Sequence, residues 1–522
     1  MVDTPELMAG AEDVIWDLSV FYDGLDDPAI DEDMDALTED VDAFVAQYRG
    51  MIADMDAAAI QAMLVEQEGI YDRAIRLYSF ASLQYATNTT DEAYGQFVQR
   101  MTQYFSEFQQ KLLFADLEWK DTPEDKQQSV LNDPALGKYK HTLEAELRYK
   151  PYTLSEAEEK VLIATGVHGR SAWTRFFSQL TSAMTYAWDG DQISQSEILA
   201  KLYDPSREVR QQAAASITTG LQDKSMELTF IFNVLAGDKA TKDNLRGYES
   251  WVSSRNLSNK APDAVVNALV ETVTANYDLV ARHYELKRKI LGFDKLYDYD
   301  RYAPLPLETG DKRYPWSEAR DIVLNAFGAF SDDMASVAGK FFDGNWIHAP
   351  VQQGKRGGAF AAPTTPSAHP FVFVNYLGRA RDISTLAHEL GHGVHQYLAG
   401  QTQGLFNSDT PLTTAEMASV FGEMLVFSDL MEREEDPEAQ LAMLLEKVED
   451  TFATVFRQTS MNRFEDLMHN AYRERGELKA QDYNALWLKS QRDMFGDSVE
   501  MTDDYGYWWS YVPHFLHTPG YV

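Results

Sequence analysis

The sequence contains no cysteine. Its 522 residues therefore cannot form a disulfide, use a catalytic thiolate or hold a metal ion through sulfur, so histidine and carboxylate side chains would have to hold any bound zinc. Long apolar runs are also missing, because no stretch approaches the ~20 apolar residues of a membrane-spanning helix. These absences exclude disulfide frameworks and cysteine-based zinc sites, and they predict that no segment spans a membrane.

Basic residues are scarce. The chain has 46 Lys and Arg against 82 Asp and Glu, which gives a formal net charge of −36. Such a charge disfavours binding to nucleic acid or to an anionic membrane surface. Residues 1–6 are acidic and lack the basic region and apolar run of a signal peptide. We therefore expect a cytoplasmic protein with no nucleic-acid partner and no membrane partner.

The spacing of apolar residues predicts a mainly helical chain. The hydrophobic fraction, 44%, is that of a globular protein. Apolar residues recur at intervals of three and four in most long segments, such as residues 70–85 and 265–290. Strand-like composition clusters in residues 357–360 and 370–376. We expect two or more helical lobes, with a boundary near residue 200 and a small β-sheet just before the motif described next.

The segment His388-Glu389-Leu390-Gly391-His392 reads H-E-x-x-H inside a stretch predicted to be helical. Because residues i and i+4 lie on one face of a helix, both imidazoles can bind a single zinc ion. Glu389 follows the first histidine and can act as general base toward a water that zinc activates. The alternative is a helix whose histidines face a polar cleft by chance, and the residues that follow argue against it.

A catalytic zinc ion usually has three protein ligands. His395 lies two helical turns, about 10.5 Å, from His388, so it cannot share a metal with the motif and is interpreted as structural. Glu416, Ser419 and Glu423 lie on one face of a later predicted helix. We predict Glu416 as the third ligand, and Ser419 and Glu423 as groups that orient the ligands. The alternative for this face is a solvated acidic surface.

Two further groups are open to more than one interpretation. Asp382 lies shortly before the motif, where it can cap the helix or hold a ligand histidine. Residues 505–522 are dense in aromatic residues with hydrogen-bonding groups. A zinc peptidase needs donors aimed at the oxyanion of the tetrahedral intermediate, and histidine or tyrosine can supply them. The alternative is an aromatic core segment, which fits the adjacent tryptophans better than it fits His514.

A series of short motifs follows in order from about residue 350 to the end of the chain. The motifs are Gly354-Lys355-Arg356-Gly357-Gly358-Ala359-Phe360, His369-Pro370-Phe371, Asn375-Tyr376, residues 382–395, Glu416-x-x-Ser419, Phe456-Arg457-Gln458-Thr459, Phe464-Glu465 and Val512-Pro513-His514-Phe515. Together they resemble those of the thimet-oligopeptidase-like M3 family of zinc metallopeptidases, closest to its oligoendopeptidase F branch. The N-terminal helices resemble that family more loosely.

The resemblance implies a mainly α, two-lobed helical metallopeptidase fold with a deep substrate channel and a small β-sheet next to the H-E-x-x-H helix. It implies an N-terminal helical lobe over residues 1–200 and a catalytic M3-type peptidase domain over residues 201–522. Family chains continue past the last motif, so we expect this domain to be truncated at its C-terminus. The implied activity is hydrolysis of internal bonds in short unstructured peptides, because folded proteins cannot enter such a channel.

Site residues follow from the same resemblance. It implies one Zn²⁺ per chain, bound by the two motif histidines and Glu416, with Glu389 as the general base. His514 matches a family histidine that helps to stabilise the transition state, and Tyr521 matches part of a tyrosine cluster that follows it. The implied partners are oligopeptide substrates, and the chain would act as a monomer or a small homo-oligomer.

Two other functions are compatible with the sequence. One is a zinc exopeptidase, either a dipeptidyl carboxypeptidase of the same family or a single-residue carboxypeptidase with the same pattern of ligands. The other is an inactive homologue that binds peptides without cleaving them, for which the expected truncation is the only feature. Peptides with blocked ends distinguish these activities, since an exopeptidase needs a free terminus.

Overall fold

The computed structural model describes residues 10–306, 313–352 and 354–521. Over these residues the chain is mainly helical, as the apolar spacing predicts. The predictions made for residues 1–6 and for an end at Val522 lie outside the described residues. The α-helices, numbered in chain order, are α1 (Pro28–Tyr48), α2 (Ala57–Thr87), α3 (Glu92–Asp121), α4 (Glu124–Leu131), α5 (Lys140–Leu147), α6 (Glu156–Gly166), α7 (Arg170–Ala183), α8 (Gln195–Ala200), α9 (Arg207–Asp223), α10 (Ser225–Arg246), α11 (Ser253–Ser258), α12 (Asp263–Ala275), α13 (Asp278–Leu291), α14 (Trp316–Phe330), α15 (Asp332–Asp343), α16 (Ala380–Gln403), α17 (Leu405–Ser408), α18 (Leu412–Arg433), α19 (Pro437–Phe452), α20 (Gln458–Arg475) and α21 (Ala480–Phe495).

Two small sheets accompany the helices. Strands β1 (Thr185–Trp188) and β2 (Asp191–Ser194) form an antiparallel hairpin within the N-terminal region that was predicted to be helical. Strands β3 (Ile347–His348), β4 (Phe360–Ala362) and β5 (Phe371–Phe373) form the second sheet, in the order β3-β5-β4. Strand β3 is parallel to β5 and β4 is antiparallel to it.

The sheet predicted beside the motif helix is confirmed, because β4 and β5 both contact α16. Its strands are shorter than the sequence suggests. Gly357 and Gly358 lie in a bend, so β4 begins only at Phe360. Gly358 has a φ of +82°, a conformation that glycine adopts at no steric cost and that interrupts the extended backbone of a strand.

The chain divides into two compact units, each made from two separate segments. One unit combines Met1–Ala164 with Gly310–Glu435, and the other combines Thr165–Thr309 with Asp436–Val522. The predicted division into residues 1–200 and 201–522 follows chain order, so it differs from these units and stays a prediction about sequence domains. Apolar periodicity shows which face of a helix is buried, but it does not show which distant helix covers that face.

The described part of the first unit contains two apolar clusters. One packs α1, α2 and α3 against Phe371 and Phe373 of β5. The other packs α14, α15 and α16 around β3 and β5, with Val426 of α18. Buried Ile383, Leu386 and Leu390 anchor α16 in this second cluster at the helical spacing of three and four. The opposite face of α16 is thereby free to carry polar side chains.

The start of α16 is fixed by a carboxylate. Asp382 Oδ2 accepts hydrogen bonds from the backbone N–H of Arg379 at 3.0 Å and of Leu377 at 2.9 Å. These bonds satisfy amide groups that have no partner inside the helix. Of the two interpretations of Asp382, the structure therefore supports the helix cap.

Among the described residues of the second unit, one apolar cluster packs α7, α9, α10, α20 and α21 with the C-terminal segment. That segment forms short 3₁₀ turns, Asp504–Tyr511 and Pro513–His517. Trp508 and Trp509 are buried, whereas His514 is exposed. The tryptophans are thus core residues, as predicted, and His514 is not.

None of the helices in the described ranges combines the length and apolar character that a membrane span requires.

Candidate metal centre

Helix α16 brings His388 and His392 to one face. Their ring centroids lie 5.0 Å apart and the ring planes are nearly perpendicular, at 83°. The two side chains are 27% and 13% exposed, so each imidazole is largely shielded but still accessible. This geometry follows from the i, i+4 spacing that the sequence analysis used.

Glu416 of α18 lies against both imidazoles. Its Oε2 is 3.4 Å from His388 Nε2 and its Oε1 is 3.6 Å from His392 Nε2. Two ligands of a tetrahedral zinc ion, each about 2.0–2.1 Å from the metal, lie roughly 3.4 Å apart. These three residues form a group whose candidate ligand atoms all lie within 4.8 Å of one another. The residues therefore fit a single zinc ion in both spacing and donor chemistry.

Two glycines allow the helices that carry these groups to approach closely. A Cβ added at Gly391 of α16 would lie 2.7 Å from Ala418 O and 2.8 Å from Ser419 Cα on α18. A Cβ added at Gly422 of α18 would lie 2.9 Å from Ala387 O on α16. Contacts this short are closer than side-chain carbon atoms tolerate, so only glycine fits at either position. The close crossing places Glu416 beside the histidines.

The motif and the helix periodicity assign these glycines no role. Gly391 occupies one of the two unspecified positions of H-E-x-x-H, and Gly422 lies between Ser419 and Glu423. A glycine in the interior of each of two predicted helices is unfavourable for the isolated helix, which is a signal of close packing. That signal shows where a helix is approached, but it does not identify the partner helix.

Ser419 and Glu423 lie where the prediction put them, next to the groups that they were expected to orient. Ser419 is fully buried, and its hydroxyl donates to Glu416 Oε2 at 3.1 Å and to Glu416 O at 2.9 Å. Glu423 Oε2 lies 3.4 Å from His388 Nδ1. A carboxylate at Nδ1 favours the tautomer that leaves Nε2 free to accept a metal ion. His395 is not part of this group.

The charges of the site act strongly on His388 and Glu416. Burial lowers the pKa of His388, but Glu416 and Glu423 outweigh burial and raise it to about 9. The neighbouring His388 in turn lowers the pKa of Glu416. Because a histidine ligand has to be neutral, a proton on His388 competes with a metal ion for this ring.

Glu389 is buried, with 6% of its surface exposed. Burial raises its pKa to about 7, together with the negative charge of Glu416 and against the opposing effect of His388. A carboxyl group whose pKa is near neutrality can both accept and release a proton at physiological pH.

His514 and Tyr521 lie together in the second unit. His514 Nδ1 and the Tyr521 hydroxyl are 2.6 Å apart, a hydrogen-bonding distance, and their ring centroids are 5.3 Å apart. Burial raises the pKa of Tyr521 to about 12, so the phenol keeps its proton at neutral pH. The structure therefore brings the two predicted C-terminal site residues into direct contact with each other.

Comparisons with known proteins agree with these features. The family profile described as Peptidase family M3 matches residues 200–521, and the profile described as Oligopeptidase F matches residues 118–186. Oligopeptidase PepF of Bacillus subtilis is 28% identical over 488 residues, which cover 91% of this chain and 71% of that protein. Group B oligopeptidase PepB of Streptococcus agalactiae is 25% identical over 511 residues, 96% of this chain and 84% of that protein.

Solved structures resemble the fold. The crystal structure of oligoendopeptidase-F from Enterococcus faecium superimposes with a TM-score of 0.68 and 21% sequence identity. The match covers 94% of this chain and 84% of that one. At this identity the likeness concerns the fold alone.

Proposed function

Since this chain belongs to peptidase family M3, a family of metallopeptidases, we propose that it is a zinc-dependent oligoendopeptidase. In this proposal it hydrolyses internal bonds of short, unstructured peptides. The observation that carries the proposal is the position of the Glu416 carboxylate, 3.4 Å from His388 Nε2 and 3.6 Å from His392 Nε2. The similarity to proteins named oligopeptidase PepF and oligopeptidase PepB supports the substrate class.

The proposed ligands are His388 and His392, each through Nε2, and one carboxylate oxygen of Glu416. Ser419 donates a hydrogen bond to Glu416 Oε2, and Glu423 lies at His388 Nδ1. Each of them would therefore keep one ligand in a fixed orientation. When bound, Zn²⁺ supplies polarisation of the scissile carbonyl and lowers the pKa of an attacking water molecule.

Glu389 is the proposed general base. Its carboxylate takes one proton from the attacking water as the new carbon–oxygen bond forms. It then gives that proton to the leaving amine nitrogen as the carbon–nitrogen bond breaks, so that Glu389 returns to its starting state. Glu389 is buried directly after the proposed ligand His388, and this position beside the metal site supports the role.

His514 and Tyr521 are proposed to supply a hydrogen-bond donor to the oxyanion of the tetrahedral intermediate. The 2.6 Å contact between His514 Nδ1 and the Tyr521 hydroxyl leaves one donor in either arrangement of its proton. If the hydroxyl donates to Nδ1, a neutral imidazole carries its hydrogen on Nε2. If Nδ1 donates, the hydroxyl hydrogen of Tyr521 is free. The pair thus offers one oriented donor.

A mixture of peptides with acetylated N-termini and amidated C-termini tests this function. The metal-loaded protein is incubated with the mixture, and mass spectrometry identifies the products. The proposal predicts cleavage at internal bonds, and no cleavage when a chelator has removed the metal. Cleavage that occurs only after the C-terminus is freed would establish the exopeptidase instead, and peptide binding without any cleavage would establish an inactive homologue.

A further inference from the structure

Glu465 of α20 is a fully buried carboxyl group that the proposed chemistry does not use. Its Oε1 accepts a hydrogen bond from the backbone N–H of Gly520, and its Oε2 accepts one from the backbone N–H of Tyr521. Both distances are 2.7 Å. Each oxygen of one side chain is therefore bound to one of two consecutive amides in the segment that carries Tyr521.

Other side chains of the same unit bind the carbonyl groups of this segment. Asn462 Nδ2 donates to Tyr521 O at 2.8 Å, and Arg255 donates to Pro519 O at 2.7 Å. Arg170 donates to the carbonyl of His517 at 2.6 Å. The last 3₁₀ turn ends at His517, so the following residues have no helical partners for their backbone groups. These side chains replace the missing backbone partners.

The bound segment folds back onto His514. A Cβ added at Gly520 would lie 2.2 Å from the carbonyl oxygen of His514 and 2.7 Å from its carbonyl carbon. Gly520 therefore packs directly on the main chain of His514, and this contact leaves no room for a side chain. As a result, the hydrogen bonds from the backbone amides of Gly520 and Tyr521 to Glu465 also fix the distance between His514 and Tyr521.

A buried carboxyl group is costly unless its polar atoms are bound. Burial raises the pKa of Glu465 to about 8, while the amides of Gly520 and Tyr521 and the charge of Arg255 lower it. Because each of its two oxygens is bound to one backbone N–H, the amides of Gly520 and Tyr521 offset part of the cost of burying Glu465.

We propose that Glu465 is a positioning residue that holds residues 514–521 in the conformation in which Tyr521 meets His514. It acts on the reaction only through that pair, and Asn462 and Arg255 assist it by binding the carbonyl groups of the same segment. This inference rests on the proposed function, in which the pair donates to the oxyanion.

Glu465→Gln tests the inference, because the amide has the same shape but only one acceptor oxygen. Its NH₂ group faces the second backbone N–H, so one of the two bonds is lost. We expect kcat to fall about ten- to a hundredfold, with KM and bound zinc unchanged. The same fall is expected for Tyr521→Phe. The double variant should lose no more than the more impaired single variant, because both changes disable one unit.

Asp298→Asn is the matched control. Asp298 is also a buried carboxyl of the second unit, and it accepts a hydrogen bond from the backbone N–H of Thr502 at 2.8 Å, in a different part of the C-terminal region. This variant should keep kcat close to that of the parent. If Glu465 had a purely structural role, Glu465→Gln and Asp298→Asn would both alter thermal stability. The effects of Glu465→Gln and Tyr521→Phe on kcat would then multiply, and that result would overturn the inference.

Hydrogen–deuterium exchange supplies a readout that does not depend on turnover. Peptides that contain Gly520 and Tyr521 should exchange faster in Glu465→Gln than in the parent or in Asp298→Asn. Unchanged exchange would overturn the inference whatever the activity is. A parent that cleaves no peptide would overturn the proposed function, so the two failures are distinguishable. If Glu465→Gln does not fold, Asn462→Ala replaces it, with the same expected directions.

Discussion

Gly391 and Gly422 face each other where α16 crosses α18. A Cβ placed on Gly422 would lie only 3.3 Å from the Cα of Gly391. This crossing joins the helix that carries both motif histidines to the helix that carries Glu416. The two glycines therefore determine the spacing of the proposed ligands although neither has a side chain that can bind a metal.

Replacement of Gly391 by alanine tests that relationship. The new methyl group would meet Ala418 O at 2.7 Å and would force the helices apart. We expect Gly391→Ala to lower the free energy of unfolding by about 1–3 kcal/mol and to weaken zinc binding, because Glu416 moves away from the histidines. Chemical denaturation and zinc titration measure the two effects.

Gly400→Ala is the control on the same helix. A Cβ at Gly400 would have its nearest neighbour, the Pro366 Cβ, at 3.5 Å, which is an ordinary van der Waals distance. This substitution should leave zinc affinity unchanged and stability unchanged or higher, because alanine is the better helix former. Equal zinc affinities for Gly391→Ala and Gly400→Ala would show that the close crossing does not position Glu416.

Glu423 provides a second test of how the ligands are oriented. Its carboxylate lies 3.4 Å from His388 Nδ1, the ring nitrogen that is not proposed to bind the metal. Glu423→Gln removes the negative charge at nearly constant shape. We expect zinc affinity to fall about 10- to 100-fold, measured by competition with a chelator of known affinity. Glu432→Gln, at an exposed position on the same helix, should bind zinc as the parent does, and an equal loss in both variants would refute the role of Glu423.

The lowered pKa of His469 makes the free energy of unfolding depend on pH. His469 is buried, stacks on Trp251 with ring centroids 5.3 Å apart, and has its pKa lowered to about 3 by burial and by the charges of Lys239 and Arg473. An unfolded histidine has a pKa near 6.5, so between these values the unfolded state binds the proton more tightly. The contribution of neutral His469 to the free energy of unfolding is therefore complete above about pH 6.5 and is lost as the pH falls toward 3.

His469→Phe keeps an aromatic ring against Trp251 and removes the titrating group. On acidification from pH 7 to pH 5, we expect the parent to lose about 2 kcal/mol more unfolding free energy than this variant. Urea denaturation at the two pH values measures the difference. His168→Phe, at an exposed position of the same unit, is the control and should follow the parent. An equal loss of unfolding free energy in all three proteins would show that His469 does not cause this pH dependence.

Local spacing explains which parts of the site were predictable. His388 and His392 are four residues apart on α16, and Glu416, Ser419 and Glu423 share one face of α18, so one helix geometry determines each set. The strand-like composition before the motif likewise predicted the position of the small sheet. The very short β3 and the β1–β2 hairpin were missed because two to four residues carry too little periodicity for recognition.

Contacts between distant segments explain what the sequence did not reveal. Glu465 precedes Gly520 by 55 residues, and nothing in the spacing of a buried glutamate indicates which backbone amides it binds. The crossing of Gly391 with Gly422 and the two-segment composition of each unit depend in the same way on which helix faces meet. Such pairings follow from three-dimensional packing, which periodicity along a single chain does not specify.

The most direct test of the proposed chemistry compares the parent protein with Glu389→Gln. Both are loaded with zinc, their metal content is measured, and peptides with blocked ends are incubated with each before mass spectrometry. We predict equal zinc content, internal cleavage by the parent, and a turnover roughly 10²–10⁴-fold lower in Glu389→Gln, because that variant lacks the base that accepts the proton of water. Equal rates of cleavage by the two zinc-loaded proteins would contradict the account.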